Sequence, residues 1–240
     1  MKRPSLWQEA KSDLRLVPGV LTACFCLSVV MMNLLANKII FRLDFVAADG
    51  GLLVSWVVFL SMDIVTKAFG QRTATTLSFF ALGINLCVSL LFWLVSIIPT
   101  ETDYTAFNTT VGGVWFIVFS SSVAFIASAI LNNCLNETIG RFFRKNPDGK
   151  AAYITRSYIS TLVGQFFDNL IFAVLTFMVF APVFWGPEYS LTLSQCLGSA
   201  ILGALLELMV EIVFSPVGYI VLKRWKKEGI IRDRKEHTAA

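Results

Sequence analysis

The sequence predicts an all-α, polytopic membrane protein with six transmembrane helices. Of the 240 residues, 56% are hydrophobic and only 15% are charged, whereas a soluble domain carries roughly 25% charged residues. A bilayer core about 30 Å thick is crossed by a helix of about 20 mostly apolar residues. Six stretches meet this requirement, at residues 17–36, 52–69, 74–98, 113–135, 158–185 and 195–222. The connecting segments are short, so no separate soluble domain is expected.

The first three spans differ in their polar content. The first is expected to be an uncleaved helix, and it is flanked by Asn33 and Asn37 one helical turn apart, followed by Lys38. The second is interrupted by Asp63 and Lys67, whose i,i+4 spacing is close enough for an ion pair. The third contains no Asp, Glu, Lys or Arg. Two of these three spans therefore bring polar groups to membrane depth.

The last three spans each carry a polar stripe at helical spacing. On the fifth, Gln165 and Asp168 lie within about 40° of Thr161 at 100° per residue, and Asn169 borders the same face. The corresponding residues are Ser128, Asn132 and Asn136 on the fourth span and Ser199, Gly203, Glu207, Glu211 and Ser215 on the sixth. Because lipid satisfies none of these groups, we expect the stripes to converge on an interior cavity.

Two explanations of the polar stripes stay open for different residues. Small, hydroxyl and amide side chains commonly join helices by close packing and interhelical hydrogen bonds, which accounts for the serines and for Gly203 without a ligand. Helix association has no need of carboxylates, so the three carboxylates of the fifth and sixth spans favour a functional cavity. For Asp63 with Lys67, a purely structural ion pair is an equal alternative.

Charge placement predicts the orientation of the chain. Lys and Arg are retained on the cytoplasmic side in short loops, and all of the 20 basic residues except Lys38 and Arg42 fall on one side of the six spans. Both termini are therefore expected in the cytoplasm. Residues 1–16 form an N-terminal segment, 17–222 the transmembrane domain and 223–240 a basic tail. We interpret the tail as a topology anchor beside membrane lipid and not as a nucleic-acid site.

The sequence contains no motif for catalysis or for a metal. The only histidine, His237, lies in the tail, so histidine-based acid–base chemistry and histidine ligation are excluded inside the membrane. A GxSxG nucleophile motif and a phosphate-binding glycine loop are also absent. We therefore expect neither an enzyme nor a bound cofactor. Carboxylates, amides and abundant aromatic rings suit a flat polar heterocycle as ligand.

Four blocks of the sequence form a recognisable set. They are "NLLANKII" (33–40), "FLSMDIVTKAFGQRTA" (59–74), "RSYISTLVGQFFDNLIF" (156–172) and "ELMVEIVFSPVGYIVLKRW" (207–225). Together they resemble the queuosine precursor transporter family, earlier described as vitamin uptake transporters. The third block is the most specific, through Arg156, Ser160, Thr161, Gln165 and Asp168. The others match through Ala36, Asn37 and Lys38, through Asp63 and Gly70, and through Glu211, Pro216 and Tyr219.

The resemblance implies a multi-pass transporter of the cell inner membrane that imports 7-deazapurine precursors of queuosine, such as preQ0, preQ1 or queuine. It also implies a six-helix fold similar to the substrate-binding component of energy-coupling-factor importers. Together with the polar stripes, it indicates substrate-binding residues Asn37, Asp63, Ser160, Gln165, Asp168, Asn169, Glu207 and Glu211, and charge-pairing residues Lys38, Lys67 and Arg156. Our hypothesis is that Gln165 and Asp168 bind the edge of the ring, while Asn37 and Glu211 close the other side.

The chain departs from the family pattern at Lys67, where many relatives look acidic, and at Glu207, where many carry Lys. Either a charge swap keeps an ion pair between the second and sixth spans, or the identity of the substrate is in doubt. Two other functions stay open: a subunit that imports another vitamin-like molecule with an ATPase partner, and a structural membrane protein that transports nothing. The sequence also leaves open a homodimer, an energy-coupling partner and the energy source.

Overall fold

The computed structural model describes residues 6–142 and 150–229, and helices dominate it. They are α1 (Leu6–Leu16), α2 (Gly19–Leu35), α3 (Leu52–Phe69), α4 (Gln71–Ser96), α5 (Thr105–Gly112), α6 (Val114–Phe142), α7 (Lys150–Ala173), α8 (Ala181–Phe184) and α9 (Leu193–Lys227). Five apolar helical stretches are long enough to cross a membrane, and a sixth is gained if α1 and α2 are taken as one bent span. The prediction of an all-α multi-pass membrane protein is confirmed at this level.

Pro18 divides the N-terminal helical region in two. Proline lacks an amide hydrogen and disfavours a helical residue before it, and the helices on either side of it are bent by 104°. α1 contacts α4, where Arg72 forms ion pairs with Glu9 and Asp13. α2 has 17 residues, which is about 26 Å of helix. The first predicted span therefore corresponds to α2, with α1 turned aside.

A β-hairpin that the sequence patterns did not predict lies between α2 and α3. Its strands are β1 (Ile39–Arg42) and β2 (Ala47–Asp49), which pair antiparallel with an irregularity after Ile39. The turn is closed by the amide of Leu43, which donates to the carbonyl of Val46 at 2.7 Å. The chain thus makes a short excursion from the helical bundle before α3 begins.

The hairpin lies directly on the first turns of α9. A Cβ at Gly198 would overlap with the carbonyl oxygen of Phe45, so glycine is needed for this approach of two backbones. One turn of sequence away, Ser199 Oγ donates to the carbonyl oxygen of Ala47 at 2.5 Å and accepts from the amide of Ala47 at 3.3 Å. Backbone contact and hydrogen bonds together fix the hairpin on the helix.

Two longer side chains join the same surfaces. Arg42 donates to the carbonyl oxygens of Glu188 and Ser190, at 3.1 and 2.6 Å, in the segment that precedes α9. Gln195 Nε2 donates to the carbonyl oxygen of Leu43 at 2.8 Å. The hairpin is therefore tied both to α9 and to the connection that leads into it.

The fifth predicted span is not a uniform α-helix. α7 continues into a π-helical segment, Val174–Phe180, before α8. π-helical turns are rare and occur mostly inside α-helices, frequently at functional sites. Aromatic rings of Phe116, Phe184 and Trp185 gather beside this segment, with centroid distances from Phe116 of 5.6 Å to Phe184 and 4.7 Å to Trp185. The wide turn is thus supported by an aromatic cluster at one end of the bundle.

The long helices form a closed ring. In the order α2, α3, α9, α7, α6 and α4, each helix contacts the next, and α4 contacts α2. α9 begins with a capping box in which Thr192 and Gln195 exchange side-chain and backbone hydrogen bonds, which satisfies amides at the helix start. The ring places the polar stripes of several helices around one interior.

Candidate functional site

A cavity of about 110 Å³ lies between α2, α3, α6, α7 and α9, beside the hairpin. One water needs on the order of 10–15 Å³ of such space, so the cavity can hold a small molecule. Its polar lining residues are Asn33, Asp49, Ser55, Ser121, Asp168, Asn169, Ser199 and Glu207. The five helices are those whose spans carry polar residues in the sequence. In the described part of the chain, α4 contributes no lining residue.

Consecutive residues of α7, Asp168 and Asn169, form one polar wall. Ser128 Oγ on α6 donates to Asp168 Oδ1 at 2.9 Å. Asn169 Nδ2 donates across the cavity wall to Glu207 Oε1 on α9 at 3.0 Å, and also to the carbonyl oxygen of Gln165 at 3.0 Å. Each carboxyl group therefore has one oxygen held by a neutral donor. The second oxygen of each accepts from no group among the described residues.

The facing wall on α9 repeats every turn. Ser199, Gly203 and Glu207 follow at i,i+4 spacing and all line the cavity, and Glu207 is only 6% exposed. A Cβ at Gly203 would lie 2.9 Å from Nδ2 of Asn169, closer than real Cβ atoms come. The absence of a side chain at this position is thus what lets Asn169 reach Glu207.

Asp49 forms the wall on the hairpin side. It ends β2, directly before α3, and its Oδ1 accepts from the amide of Gly51 at 2.8 Å. Burial raises the pKa of the Asp49 carboxyl from its ordinary value of 3.8 to about 6, although the backbone hydrogen bonds oppose this shift. The carboxyl group stabilises unpaired amides at the start of α3 while it borders the cavity.

The remaining walls are apolar and aromatic. Phe59, Phe172 and Phe177 line the cavity, and the last two rings meet edge to face at 6.2 Å. Asn33 on α2 is 2% exposed, and its amide donates to the carbonyl oxygen of Val29 at 3.0 Å. Aromatic faces with a few convergent polar groups are typical of sites for small heterocyclic ligands.

The lining is acidic. It contains the carboxyl groups of Asp49, Asp168 and Glu207, and no Lys, Arg or His among the described residues. In the same part of the chain, no three His, Cys, Asp or Glu side chains are grouped as a metal site requires. Such a cavity favours a ligand that donates hydrogen bonds or carries positive charge, since carboxylates only accept.

The structure brings together some of the residues predicted for the site and separates others. Asp168, Asn169 and Glu207 lie around the one cavity. Asn37 and Gln165 are not part of its lining. Each of these two has a buried side-chain oxygen without a hydrogen-bond partner among the described groups. The predicted stripe on α7 is therefore rotated toward Asn169 where it meets the cavity.

The predicted charged residues lie elsewhere. Lys67 Nζ is 2.7 Å from Asp63 Oδ2, one turn away on α3, and neither residue lines the cavity. Glu207 is bonded to Asn169, so no ion pair joins Lys67 to Glu207 in the described structure, and the proposed charge swap is not formed. Lys38 stands before β1 and outside the cavity. The side chains of several further predicted residues lie outside the described part: Asn132, Asn136, Arg156, Ser160, Thr161, Glu211 and Ser215.

Several lining residues were not predicted as part of the site. Asp49 was assigned to a loop, although the turn signal Asp-Gly-Gly at 49–51 marks it as the residue before a helix. Ser55 and Ser121 gave no signal, because serines are common at helix contacts. Asn33 was recognised as a polar residue of the first span, but its neighbour Asn37 was chosen for the site.

Comparison with known families gives one finding. The model of the family described as "Putative vitamin uptake transporter" matches residues 49–221, which is more than half of the chain. The matched range begins at Asp49 and contains Asp168, Asn169 and Glu207. Comparisons with curated proteins and with solved structures give no match.

Proposed function

Because the chain belongs to the vitamin uptake transporter family, we propose that it imports 7-deazapurine precursors of queuosine across the cell inner membrane. Membership of the family makes it a multi-pass membrane transporter of a small molecule. The observation that supports a heterocyclic substrate is the cavity in which Asp168, Asn169 and Glu207 meet between aromatic walls. No enzymatic step is part of this proposal.

The chemistry of the walls fits a guanine-like ring. Its edge presents neighbouring N–H donors, which a carboxylate accepts in pairs. Phe172 follows Asp168 by four residues on α7, so the two side chains lie on one face of the helix, and both line the cavity. A ring stacked on Phe172 therefore turns its edge toward Asp168. Stacking of a base on an aromatic side chain contributes about 1–3 kcal/mol in other proteins.

The proposal is tested by uptake. A strain that cannot synthesise queuosine precursors is given the gene and a panel of 7-deazapurines, and queuosine in its tRNA is measured by mass spectrometry. We expect queuosine to return only when both the gene and a precursor are present. Failure of every 7-deazapurine to enter, with the protein shown in the membrane, would refute the proposal.

A second candidate is supported by the family description itself, which names vitamins. In this reading the chain is a substrate-binding subunit that imports another vitamin-like molecule with an ATPase partner. The chain carries no phosphate-binding glycine loop of its own, so ATP-driven import requires that partner. Co-purification of an ATPase, with uptake of a vitamin but of no deazapurine, distinguishes this candidate. A structural protein that transports nothing would bind neither kind of ligand in detergent.

The proposed topology places both termini in the cytoplasm, with residues 1–16 and 223–240 flanking a transmembrane domain at 17–222. The distribution of Lys and Arg supports it. Reporter fusions at each terminus test it: an alkaline phosphatase fusion should be inactive, and a green fluorescent protein fusion should be fluorescent. Opposite results at either terminus would reverse the assigned orientation.

A further inference from the structure

The cavity has an electrostatic imbalance that its own side chains do not correct. Asp168 and Glu207 receive hydrogen bonds from a hydroxyl and an amide, both of them neutral donors. The two carboxyl groups also interact with each other electrostatically. No basic residue stands in the described lining. An uncompensated pair of acidic groups in a water-poor interior is costly unless a ligand supplies the opposite charge.

The two acidic groups stand in different surroundings. Asp168 shares a helix face with Phe172, which assigns it to the edge of a stacked ring. Glu207 lies on α9, one turn beyond Gly203, and is 94% buried, since only 6% of it is exposed. Because Gly203 has no side chain, the space next to Glu207 is open toward the cavity. Glu207 thus faces a substituent of the ring instead of its edge.

We infer that the transported molecule is a cation, and that Glu207 selects it by binding an ammonium group attached to the heterocycle. The inference rests on the proposed function and narrows its substrate class. Among 7-deazapurines, the preferred ligand is one with an aminomethyl group at position 7. A derivative with a nitrile or a hydroxymethyl group there is neutral and leaves the charge of Glu207 uncompensated. Charge-assisted hydrogen bonds are also roughly twice as strong as neutral ones.

Binding measurements on the purified full-length protein in detergent test this inference. The probes are 7-aminomethyl-7-deazaguanine and its 7-hydroxymethyl analogue, which match in size and differ in charge. We expect the wild-type protein to bind the amine at least about tenfold more tightly by titration calorimetry, the lower part of the range measured for buried charge contacts. Equal affinity for the two probes would overturn the inference by itself, without any variant.

The matched variant is Glu207→Gln, which keeps an oxygen that accepts from Asn169 but loses the charge. We expect the ratio of the two affinities to fall to about one, while the hydroxymethyl probe binds within about threefold of its wild-type affinity. Retained binding of that probe shows that the variant is folded. Glu101→Gln, on an exposed loop, is the control and should leave the ratio unchanged. A ratio that survives Glu207→Gln would refute the role of Glu207.

The outcomes separate this inference from the proposed function. If both probes bind with the same affinity, the transporter still takes 7-deazapurines and only the requirement for a cation is wrong. If neither probe binds to folded protein, the proposed function fails, and the inference that rests on it fails with it. Binding of the amine alone, lost in Glu207→Gln, supports both.

Discussion

Asp63 on α3 and Asp168 on α7 both interrupt apolar helices, but their surroundings differ. Asp63 is 2.7 Å from the ammonium group of Lys67, and these side chains are 20% and 44% exposed. Asp168 lines an interior cavity, and the one donor that reaches it among the described residues is the hydroxyl of Ser128. The first carboxylate is neutralised within its own helix. The second is hydrogen-bonded but keeps its charge.

This difference separates structural from functional carboxylates in a membrane protein. An ion pair between residues one turn apart is complete without any ligand. A carboxyl group held by neutral donors inside a cavity still has an oxygen and a charge to offer. Asp63 and Asp168 look alike in the sequence, since each is a single acidic residue in an apolar span. Their neighbours in space distinguish them.

The largest expected effect is on uptake and comes from Asp168→Asn. Loss of a buried charged hydrogen-bond partner typically costs about 2–5 kcal/mol, so we expect uptake of 7-deazapurines to fall at least about thirtyfold. Asp63→Asn is the matched comparison and should reduce uptake much less. Both variants are quantified in the membrane fraction by immunoblot. Similar losses in the two variants would remove the distinction between these carboxylates.

A second effect concerns stability and pH at Asp49. Its pKa is about 6 in the folded protein and 3.8 ordinarily, so the folded state binds the proton more tightly than the unfolded state. This contribution to stability is therefore present at low pH and is lost as pH rises from about 4 to 6. Relative to Asp49→Asn, we expect the wild type to lose on the order of 2–3 kcal/mol over this window. Thermal unfolding in detergent at several pH values measures it, and parallel curves for both proteins would contradict it.

A third, intermediate effect is predicted for Gly203→Ala. The new Cβ would lie 2.9 Å from Asn169 Nδ2, so Asn169 must move and its hydrogen bond to Glu207 weakens. The loss of one hydrogen bond to a charged group, about 1.5–3 kcal/mol, should reduce ligand affinity at least about tenfold. Gly83→Ala on α4 is the control, because a Cβ there meets no atom within 4 Å. Equal affinities in the two variants would mean that Asn169 does not position Glu207.

The smallest effect is expected for Lys67→Gln. An exposed i,i+4 ion pair stabilises a helix by about 0.3–0.5 kcal/mol, so the melting temperature should change little and the change should shrink at high salt. Thermal unfolding at low and high salt provides the measurement. A loss of several kcal/mol would show that Asp63 depends on Lys67 as a buried charge does, and the contrast with Asp168 would then be one of degree.

The membrane spans could be predicted from the sequence because hydropathy is a local property. The apolar stretches at 52–69, 74–98 and 195–222 all reappear as long helices. The hairpin could not be predicted, since strands of four and three residues carry no recognisable alternation. What holds them is a tertiary contact with α9. The π-helical turn after Ala173 likewise depends on aromatic partners from distant parts of the chain.

The candidate site was predicted in part. Helical spacing identified the acidic residues of α7 and α9, and Asp168 and Glu207 do lie around one cavity. Spacing gives the relative angles of residues on a helix, but the direction in which a helix faces its neighbours comes from packing. For this reason Gln165, central on the predicted stripe, lies outside the cavity lining, while Asn169 at its border contacts Glu207.

The attachment of the hairpin to α9 also governs how the cavity is opened. Hydrogen bonds from Arg42, Gln195 and Ser199 join the two surfaces, and Gly198 lies against the turn. Partial lifting of the turn breaks several of these contacts without releasing the rest, so we expect the flap to detach as a unit. A latch of this kind exchanges solutes in discrete events, and the frequency of unlatching would then set an upper limit on the transport rate.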